Sequence, residues 1–286
     1  MNPARFIPLL QEFLKSLVLQ IALVFILFLL RLLGVDVYTK LQWLVRLLVL
    51  FFRRLTGRKT FLIYTDCSDH MRTTRTLARR LDGALRNQRY KSIVLRNPEA
   101  ILTYPLWPFA VSAVILIITD VSPLSSNERK RKIIQKRLVR FSQNGGSLIL
   151  THDAIYRRSK NDILQGILGC ILSRFVFQTE TYYVKNSGSV KHRVSRDTNL
   201  LKALPDEFPL SDGEVLVGNW ANGVEFIYVS KEDPNIPLLT RRENGKGVVY
   251  WLNSGDSTEI GPPESISMPD DHLVKILGTL ITSAVK

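Results

Sequence analysis

Cysteine and histidine are scarce in this chain, and the glycine-rich loops that bind nucleotides are absent. Two cysteines in 286 residues allow at most one disulfide, which excludes a disulfide-stabilised scaffold and a zinc site made of four cysteines. No Walker or dinucleotide-binding loop follows a predicted strand. The four histidines show neither H-x-H nor H-x-x-x-H spacing, so the sequence predicts no metal site and no cofactor.

Acidic residues are rare at the N-terminus. The chain has 39 Lys and Arg against 25 Asp and Glu, a formal net charge of +14. Its first 59 residues hold nine of the basic side chains and only two acidic ones. A surplus of this size is typical of proteins that bind an anionic membrane or nucleic acid, or of a general margin of solubility. Because the basic residues flank apolar segments, their position favours the membrane.

The longest apolar segment is at about residues 13–35. Its central part, residues 17–30, carries no charge and has Gln20 as its one polar side chain. A helix of ~20 apolar residues crosses ~30 Å of hydrocarbon, and Lys15 and Arg31 can extend to the two interfaces. Because no small-x-small cleavage site follows, the segment predicts an uncleaved transmembrane anchor rather than a signal peptide.

A second apolar block, residues 41–54, is too short to span and contains a charge in its middle. Its periodicity predicts an amphipathic helix on the membrane surface; a re-entrant or second spanning helix is the alternative. Seven basic residues follow the first span and two precede it, which places the C-terminal part in the cytoplasm. Residues 1–58 are therefore predicted to be a single-pass anchor in the cytoplasmic membrane. The residues expected to contact anionic headgroups are Arg46, Arg53, Arg54, Arg58 and Lys59.

Residues 59–286 alternate short apolar strands with helix-length segments. The pattern predicts one α/β domain with an open, mostly parallel sheet flanked by helices, of the flavodoxin or glutamine amidotransferase type. The first part of this pattern consists of four strands and two helices, and the pattern becomes less regular after residue 156. The strands are predicted at 61–65, 92–95, 111–119 and 147–151, the helices at 72–89, 125–143, 162–172 and 270–285, and further extended segments at 175–185, 214–217, 224–230 and 247–252.

Polar side chains follow three of the predicted strands. Ligands of open α/β sheets bind at the carboxyl ends of the strands, and histidines and carboxylates at that edge can serve as general acids and bases. Turn and helix-capping preferences are the alternative explanation for the aspartates. The predicted catalytic residues are His70, His152, Asp66 and Asp153, and the predicted ligand-binding residues include Asp120 and Cys67.

Cys67 is the one candidate for a covalent nucleophile. His70 or a helix N-terminus would have to activate it, and a small residue at a strand end is the favoured interpretation. No Gly-x-Ser-x-Gly elbow follows any strand. If the domain is an enzyme, the expected activity is hydrolase-like or isomerase-like and needs no cysteine nucleophile.

Three segments occur in an order that resembles the ThuA-like (trehalose-utilisation) family. They are GGSLILTH at 145–152, LPDEFPLSDGE at 204–214 and GKGVVYWLNSGD at 245–256. The resemblance covers about residues 61–257 and implies the fold of class I glutamine amidotransferases without their cysteine. Gly213 and Val215 depart from the family's Asp-Glu-x-Tyr segment, and Asp256 stands where the family usually has a histidine. By resemblance, His70, His152 and Glu214 correspond to the histidines and the acidic residue of the family's motifs. The predicted ligand-binding residues therefore also include Glu214, Ser254 and Asp256.

The resemblance implies carbohydrate-related binding or turnover, here by a membrane-anchored cytoplasmic domain acting on a small polar, sugar-derived ligand. The alternative is a non-catalytic membrane-tethered sensor or effector, as in bacterial defence or stress systems. Nucleic-acid binding is a third and weaker alternative, based on a basic run at 127–140. Such a run is typical of a solvated helix face, so nucleic acid is not an expected partner. The expected partners are anionic inner-leaflet lipid and a small polar ligand, and association with further copies stays open.

Overall fold

A computed structural model describes residues 37–65, 72–88, 90–97, 100–118, 124–156, 159–177, 181–210, 214–254 and 271–283. The chain forms two compact units, Met1–Arg46 and Leu47–Lys286. The transmembrane segment predicted at 13–35 lies outside the described residues. Within the described ranges, no helix combines the length and the apolarity that a membrane crossing requires.

Helices and strands alternate through the first half of the chain, and strands dominate the second half. The helices are α1 (Val37–Leu55), α2 (Arg72–Asn87), α3 (Ala100–Thr103), α4 (Glu128–Gln143), α5 (Asp162–Leu168), α6 (Thr198–Ala203) and α7 (Asp271–Ser283). The strands are β1 (Thr60–Thr65), β2 (Lys91–Leu95), β3 (Ala113–Ile117), β4 (Ser147–Thr151), β5 (Cys170–Phe177), β6 (Thr181–Lys185), β7 (Glu207–Leu210), β8 (Glu214–Trp220), β9 (Glu225–Ser230), β10 (Pro237–Asn244) and β11 (Gly247–Leu252).

The central sheet has the strand order β2-β1-β3-β4-β11-β10-β9-β6-β7. Strands β2, β1, β3, β4 and β11 are parallel, and β10, β9, β6 and β7 continue the sheet as antiparallel neighbours. Strands β5 and β8 form a separate antiparallel ribbon. The protein is therefore a mixed α/β structure with a largely parallel central sheet flanked by helices, as predicted. The antiparallel extension beyond β11 was not predicted.

Alternating side chains of the parallel strands supply two hydrophobic cores, because successive residues of a strand point to opposite faces. On one face, Phe61, Ile63 and Ile115 pack with α2 and α7. On the other face, Leu62, Leu116 and further even-numbered residues pack with α4, α5 and the β5–β8 ribbon. Both faces of β1, β3 and β4 are therefore buried, which explains their nearly continuous apolar sequences.

Two helix boundaries differ from the predicted ones for local reasons. Helix α4 begins at Glu128, not at 125, because Asn127 is the N-cap and its side chain accepts a hydrogen bond of 3.0 Å from the Lys130 amide. Helix α5 ends at Leu168 instead of 172, because Gly169 adopts φ +73°, a left-handed conformation that terminates a helix. The residues after Gly169 then form β5.

Candidate functional site

Strand β4 delivers His152 and Asp153 to the carboxyl edge of the parallel sheet. The strand is buried throughout, and its last residue, Thr151, donates a hydrogen bond of 3.0 Å from Oγ1 to the Leu116 carbonyl oxygen of β3. The chain then turns into a 3₁₀ helix, His152–Ile155. Because β1, β3, β4 and β11 are parallel, their carboxyl ends lie along this same edge.

His152 and Asp153 form a buried contact between an imidazole and a carboxylate. Nδ1 of His152 lies 3.3 Å from Oδ1 of Asp153, with side-chain exposures of 2% and 6%. The contact becomes an ion pair when the imidazole is protonated. Burial lowers the local dielectric, so a charge on either group acts more strongly on its surroundings than it would in water.

The turn that carries this pair is fixed by side-chain hydrogen bonds to three successive carbonyl oxygens. Asn161 Nδ2 donates to Ala154 at 2.8 Å, Gln165 Nε2 donates to Ile155 at 2.5 Å, and Ser159 Oγ donates to Tyr156 at 2.6 Å. These donors satisfy backbone oxygens that the short 3₁₀ helix leaves open. The result is a rigid support for the two preceding side chains.

Trp251 holds the backbone of His152 from the neighbouring strand. Its indole Nε1 donates a hydrogen bond of 3.0 Å to the His152 carbonyl oxygen. Trp251 is fully buried on β11, and its ring lies 5.3 Å from that of Trp220. This tryptophan is therefore part of the core and also a positioning residue for His152.

Asn253, which sequence reasoning missed, fixes the carboxyl end of β11. Its side-chain Oδ1 accepts from the Leu216 amide at 3.0 Å, and Nδ2 donates to the carbonyl oxygens of Leu216 and Pro237. Its own carbonyl oxygen accepts from the Tyr183 hydroxyl at 2.9 Å. The signal that could have revealed it is an amide directly after a strongly apolar strand, because a buried amide needs partners.

The structure places some of the predicted site residues together. His152 and Asp153 are adjacent on the turn after β4, and Ser254 is buried just beyond the next strand, β11. Glu214 begins β8 and is paired with Phe177 in the separate ribbon. Five predicted residues lie outside the described residues, and their roles stay predictions: Asp66, Cys67, His70, Asp120 and Asp256.

Among the residues that the structure describes, no cluster of three or more His, Cys, Asp or Glu side chains could hold a metal ion. Of the predicted site residues, the described part of the edge thus holds one imidazole, one carboxylate and one hydroxyl, those of His152, Asp153 and Ser254. This set is suited to proton transfer and to hydrogen bonding with a polar ligand.

Cys170, at the start of β5, is a free buried cysteine. Burial raises the pKa of its thiol from 9.0 to about 12, partly opposed by Arg242. The pKa of the thiol is higher in the folded state than in the unfolded state. The protonated thiol therefore contributes stability that is fully present below the unfolded pKa and is lost as the pH rises through the folded pKa. Cys170 is therefore a packing residue rather than a nucleophile.

In a Cys67→Ser variant, where Cys170 is the sole thiol, we expect no reaction with a disulfide reagent at about pH 8 in the folded state, because the thiolate is scarce and shielded. Addition of guanidinium should release one reactive thiol per chain. Glutathione at the same pH is the reactive control. Labelling of the folded variant at the rate of glutathione would contradict this account.

The basic residues predicted to face a membrane have different environments. Arg53, Arg54 and Lys59 are half-buried and Arg58 is exposed, while the Arg54 guanidinium lies 5.8 Å from the Phe109 ring centre. Arg46 is half-buried and belongs to the N-terminal unit. The most exposed face of α1 is instead apolar, and it includes Leu41, Leu44, Val45, Leu48, Val49, Phe52 and Leu55.

Known proteins share this fold at low sequence identity. No family model matches the chain, and no curated protein matches its sequence. The structure is similar to a ThuA-like protein from Bacteroides uniformis, with a TM-score of 0.55 and 14% identity over 80% of this chain and 91% of that one. A ThuA-like protein from Parabacteroides merdae gives a TM-score of 0.51 and 14% identity over 79% and 90% of the two chains.

A part of a larger enzyme is also similar. The chain superposes on a β-galactosidase from Rahnella with a TM-score of 0.51 and 14% identity, covering 79% of this chain but only 31% of the galactosidase. These likenesses establish the fold, which is ThuA-like.

Proposed function

We propose that the carboxyl edge of the sheet binds a small polar, sugar-derived ligand through His152, Asp153 and Ser254. The observation that supports this proposal most strongly is the buried contact of 3.3 Å between His152 Nδ1 and Asp153 Oδ1. The turn that bears both residues is held by three side-chain hydrogen bonds. Burying an imidazole against a carboxylate is costly unless the geometry compensates, so the pair is a candidate for a functional role. The ThuA-like and β-galactosidase neighbours support a carbohydrate as the ligand class.

We infer a role for each of the three groups. The Asp153 carboxylate faces Nδ1 of His152 and orients the ring, so that the opposite nitrogen, Nε2, exchanges a proton with a ligand hydroxyl. Ser254 offers a hydroxyl that can both donate to and accept from a sugar. Because both His152 and Asp153 are almost fully buried, ligand binding requires a local opening of this edge.

The test is isothermal titration calorimetry of the full chain in mild detergent with glucose, galactose, mannose and trehalose. We expect one of these sugars to bind, and we expect His152→Gln and Asp153→Asn each to weaken its affinity by about tenfold or more, because each change removes a group that contacts or orients the ligand. Matched changes at exposed positions, His272→Gln and Asp233→Asn, should leave the affinity unchanged.

Asp153→Asn keeps the shape of the side chain, so it separates loss of binding from loss of folding. A folded Asp153→Asn protein with native sugar affinity, together with a folded His152→Gln protein that also binds normally, would contradict the proposal. So would failure of the native chain to bind any of the four sugars.

We also propose that α1 attaches the chain to a membrane and that the α/β body faces the cytoplasm. Leu48, Val49, Phe52 and Leu55 form an exposed apolar strip on α1, and no acidic residue occurs between Asp36 and Asp66. An apolar strip beside basic residues is typical of helices that lie on anionic bilayers. The segment predicted to span at 13–35 would add a permanent anchor.

A further inference from the structure

A basic cleft of about 650 Å³ lies at the amino ends of β1 and β2, at the edge of the sheet opposite to His152. It is formed where α1 leads into β1 and α2 leads into β2. The described residues that line it include five cations and no acidic side chain. We call it the basic cleft, and its principal residues are Arg53, Arg58, Lys59, Arg86, Tyr90 and Lys91.

The end of α1 brings the first three cations together. Gly57 adopts φ +74° and its amide donates to the Arg54 carbonyl oxygen at 3.0 Å, while the Arg58 amide donates to the Arg53 carbonyl oxygen at 2.9 Å. This pair of bonds is a Schellman motif, which ends a helix and reverses the chain. Arg58 and Lys59 therefore enter the same cleft that Arg53 reaches from the helix.

The second segment is joined to the first by the sheet itself. The Lys91 amide donates to the Lys59 carbonyl oxygen at 3.1 Å, and Lys91 is paired with Thr60 at the start of the two strands. The Tyr90 ring packs edge-on against Phe61, with centroids 5.4 Å apart, which fixes the position of its hydroxyl. The cleft is thus built on paired strands rather than on a loose surface.

Like charges accumulate in the cleft at an electrostatic cost. The pKa of Lys59 is lowered, first because burial disfavours the ammonium and second because Arg54 repels it. Asp82 offsets part of this charge, since its Oδ2 lies 2.9 Å from Arg86 Nη2. Stabilisation of helix ends explains Arg53 and Arg86, which lie in last turns. It does not explain Arg58, Lys59 and Lys91.

We propose that the basic cleft binds a phosphate group, and that its ligand is the phosphate of an anionic lipid headgroup. Arginine and lysine side chains are the donors that proteins use for phosphate, and the Tyr90 hydroxyl adds another. This assignment rests on the membrane attachment proposed above. The cleft would hold the headgroup while α1 contacts the acyl region.

The surroundings of the cleft favour lipid over nucleic acid. Phe52 and Leu55, on the helix that ends at the cleft, are each 62% exposed. Phe109 extends this apolar surface, because its ring lies 5.8 Å from Phe51 and 5.0 Å from Trp107, which is itself 47% exposed. Nucleic acid would leave these side chains in water, whereas a bilayer covers them.

The experiment is calorimetric titration of the full chain, in uncharged detergent, with dihexanoyl phosphatidic acid. We expect the double variant Arg58→Gln, Lys91→Gln to raise the dissociation constant by about tenfold or more. The matched control is Lys136→Gln, Arg140→Gln, which removes the same charges from exposed positions on α4 and should bind normally. Glycerol 3-phosphate, inorganic phosphate, dihexanoyl phosphatidylcholine and a single-stranded DNA oligomer are the other probes.

Tight binding of phosphatidic acid alone, lost in the cleft variant and kept in the control, supports the proposal. Equal binding of glycerol 3-phosphate would overturn the lipid as the source of the phosphate, and preferential binding of DNA would overturn lipid altogether. Equal losses of affinity in the two double variants would show that the effect comes from net charge and not from the cleft, and would overturn the proposal. Flotation of the full chain with phosphatidylcholine vesicles tests membrane attachment separately. If the chain floats but its binding of phosphatidic acid does not depend on the cleft residues, only the proposal for the cleft is overturned.

Discussion

Asn253→Ala is expected to destabilise the protein by about 3–5 kcal/mol, the largest effect of any single change at the site. The substitution removes the partner of the Leu216 amide and of the carbonyl oxygens of Leu216 and Pro237. Three buried polar groups then lose a hydrogen bond, and no water replaces the amide without a cavity of suitable size. Chemical denaturation followed by circular dichroism measures the change.

The control for this prediction is Asn219→Ala on β8, the strand that also holds Leu216. Asn219 is exposed, so its replacement should change the free energy of unfolding by less than about 0.5 kcal/mol. Similar values for the two variants would show that Asn253 does not link the β5–β8 ribbon to the central sheet. Because Ser254 follows directly, the Asn253 variant should also lose sugar affinity.

Trp251→Phe is expected to cost about 2–4 kcal/mol of stability and to weaken sugar binding. The change removes the hydrogen bond of 3.0 Å to the His152 carbonyl oxygen and leaves space beside Trp220, which was 5.3 Å away. His152 then loses the contact that fixes its backbone from β11, and small displacements of a positioning contact reduce affinity and rate. Thermal unfolding and sugar titration measure the two effects.

Trp107→Phe is the matched control, because Trp107 is 47% exposed and distant in sequence from the site. It should retain both stability and sugar affinity. If Trp251→Phe kept native sugar affinity while losing stability, Trp251 would be a core residue alone. A stable Trp251→Phe protein would contradict the role of the indole hydrogen bond.

The parallel part of the sheet was predictable because its strands are buried on both faces and read as apolar runs. Strand β4 was predicted with its observed bounds, Ser147–Thr151, and so was β11, Gly247–Leu252. Since parallel strands share one carboxyl edge, the position of His152 and Asp153 followed from the pattern. Their contact did not, because it depends on side-chain directions in a 3₁₀ turn.

The extended segments predicted at 175–185 and 224–230 contain β6 and β9, but their antiparallel pairing was not predicted, and β7 and β10 were missed because they are short or polar. Strand β10 contains Arg241, Arg242 and Glu243, whose charges hide the four buried residues that precede them, and β7 has only four residues, one of them Pro209. Asn253 was missed because its partners are distant in sequence. Three of the five cations of the basic cleft were predicted to contact headgroups. The cleft itself was not predicted, because Arg86 and Lys91 meet Arg58 only after β1 and β2 pair.

The central claim, that His152 at the carboxyl edge contacts a sugar ligand, is tested most directly by NMR of the imidazole resonances in the full chain. The His152 signal is assigned by its loss in His152→Gln, and a sugar that binds in calorimetry is then titrated. Our account predicts that this signal shifts in proportion to occupancy while the His272 signal stays fixed. A sugar that saturates the protein without moving the His152 signal would contradict it.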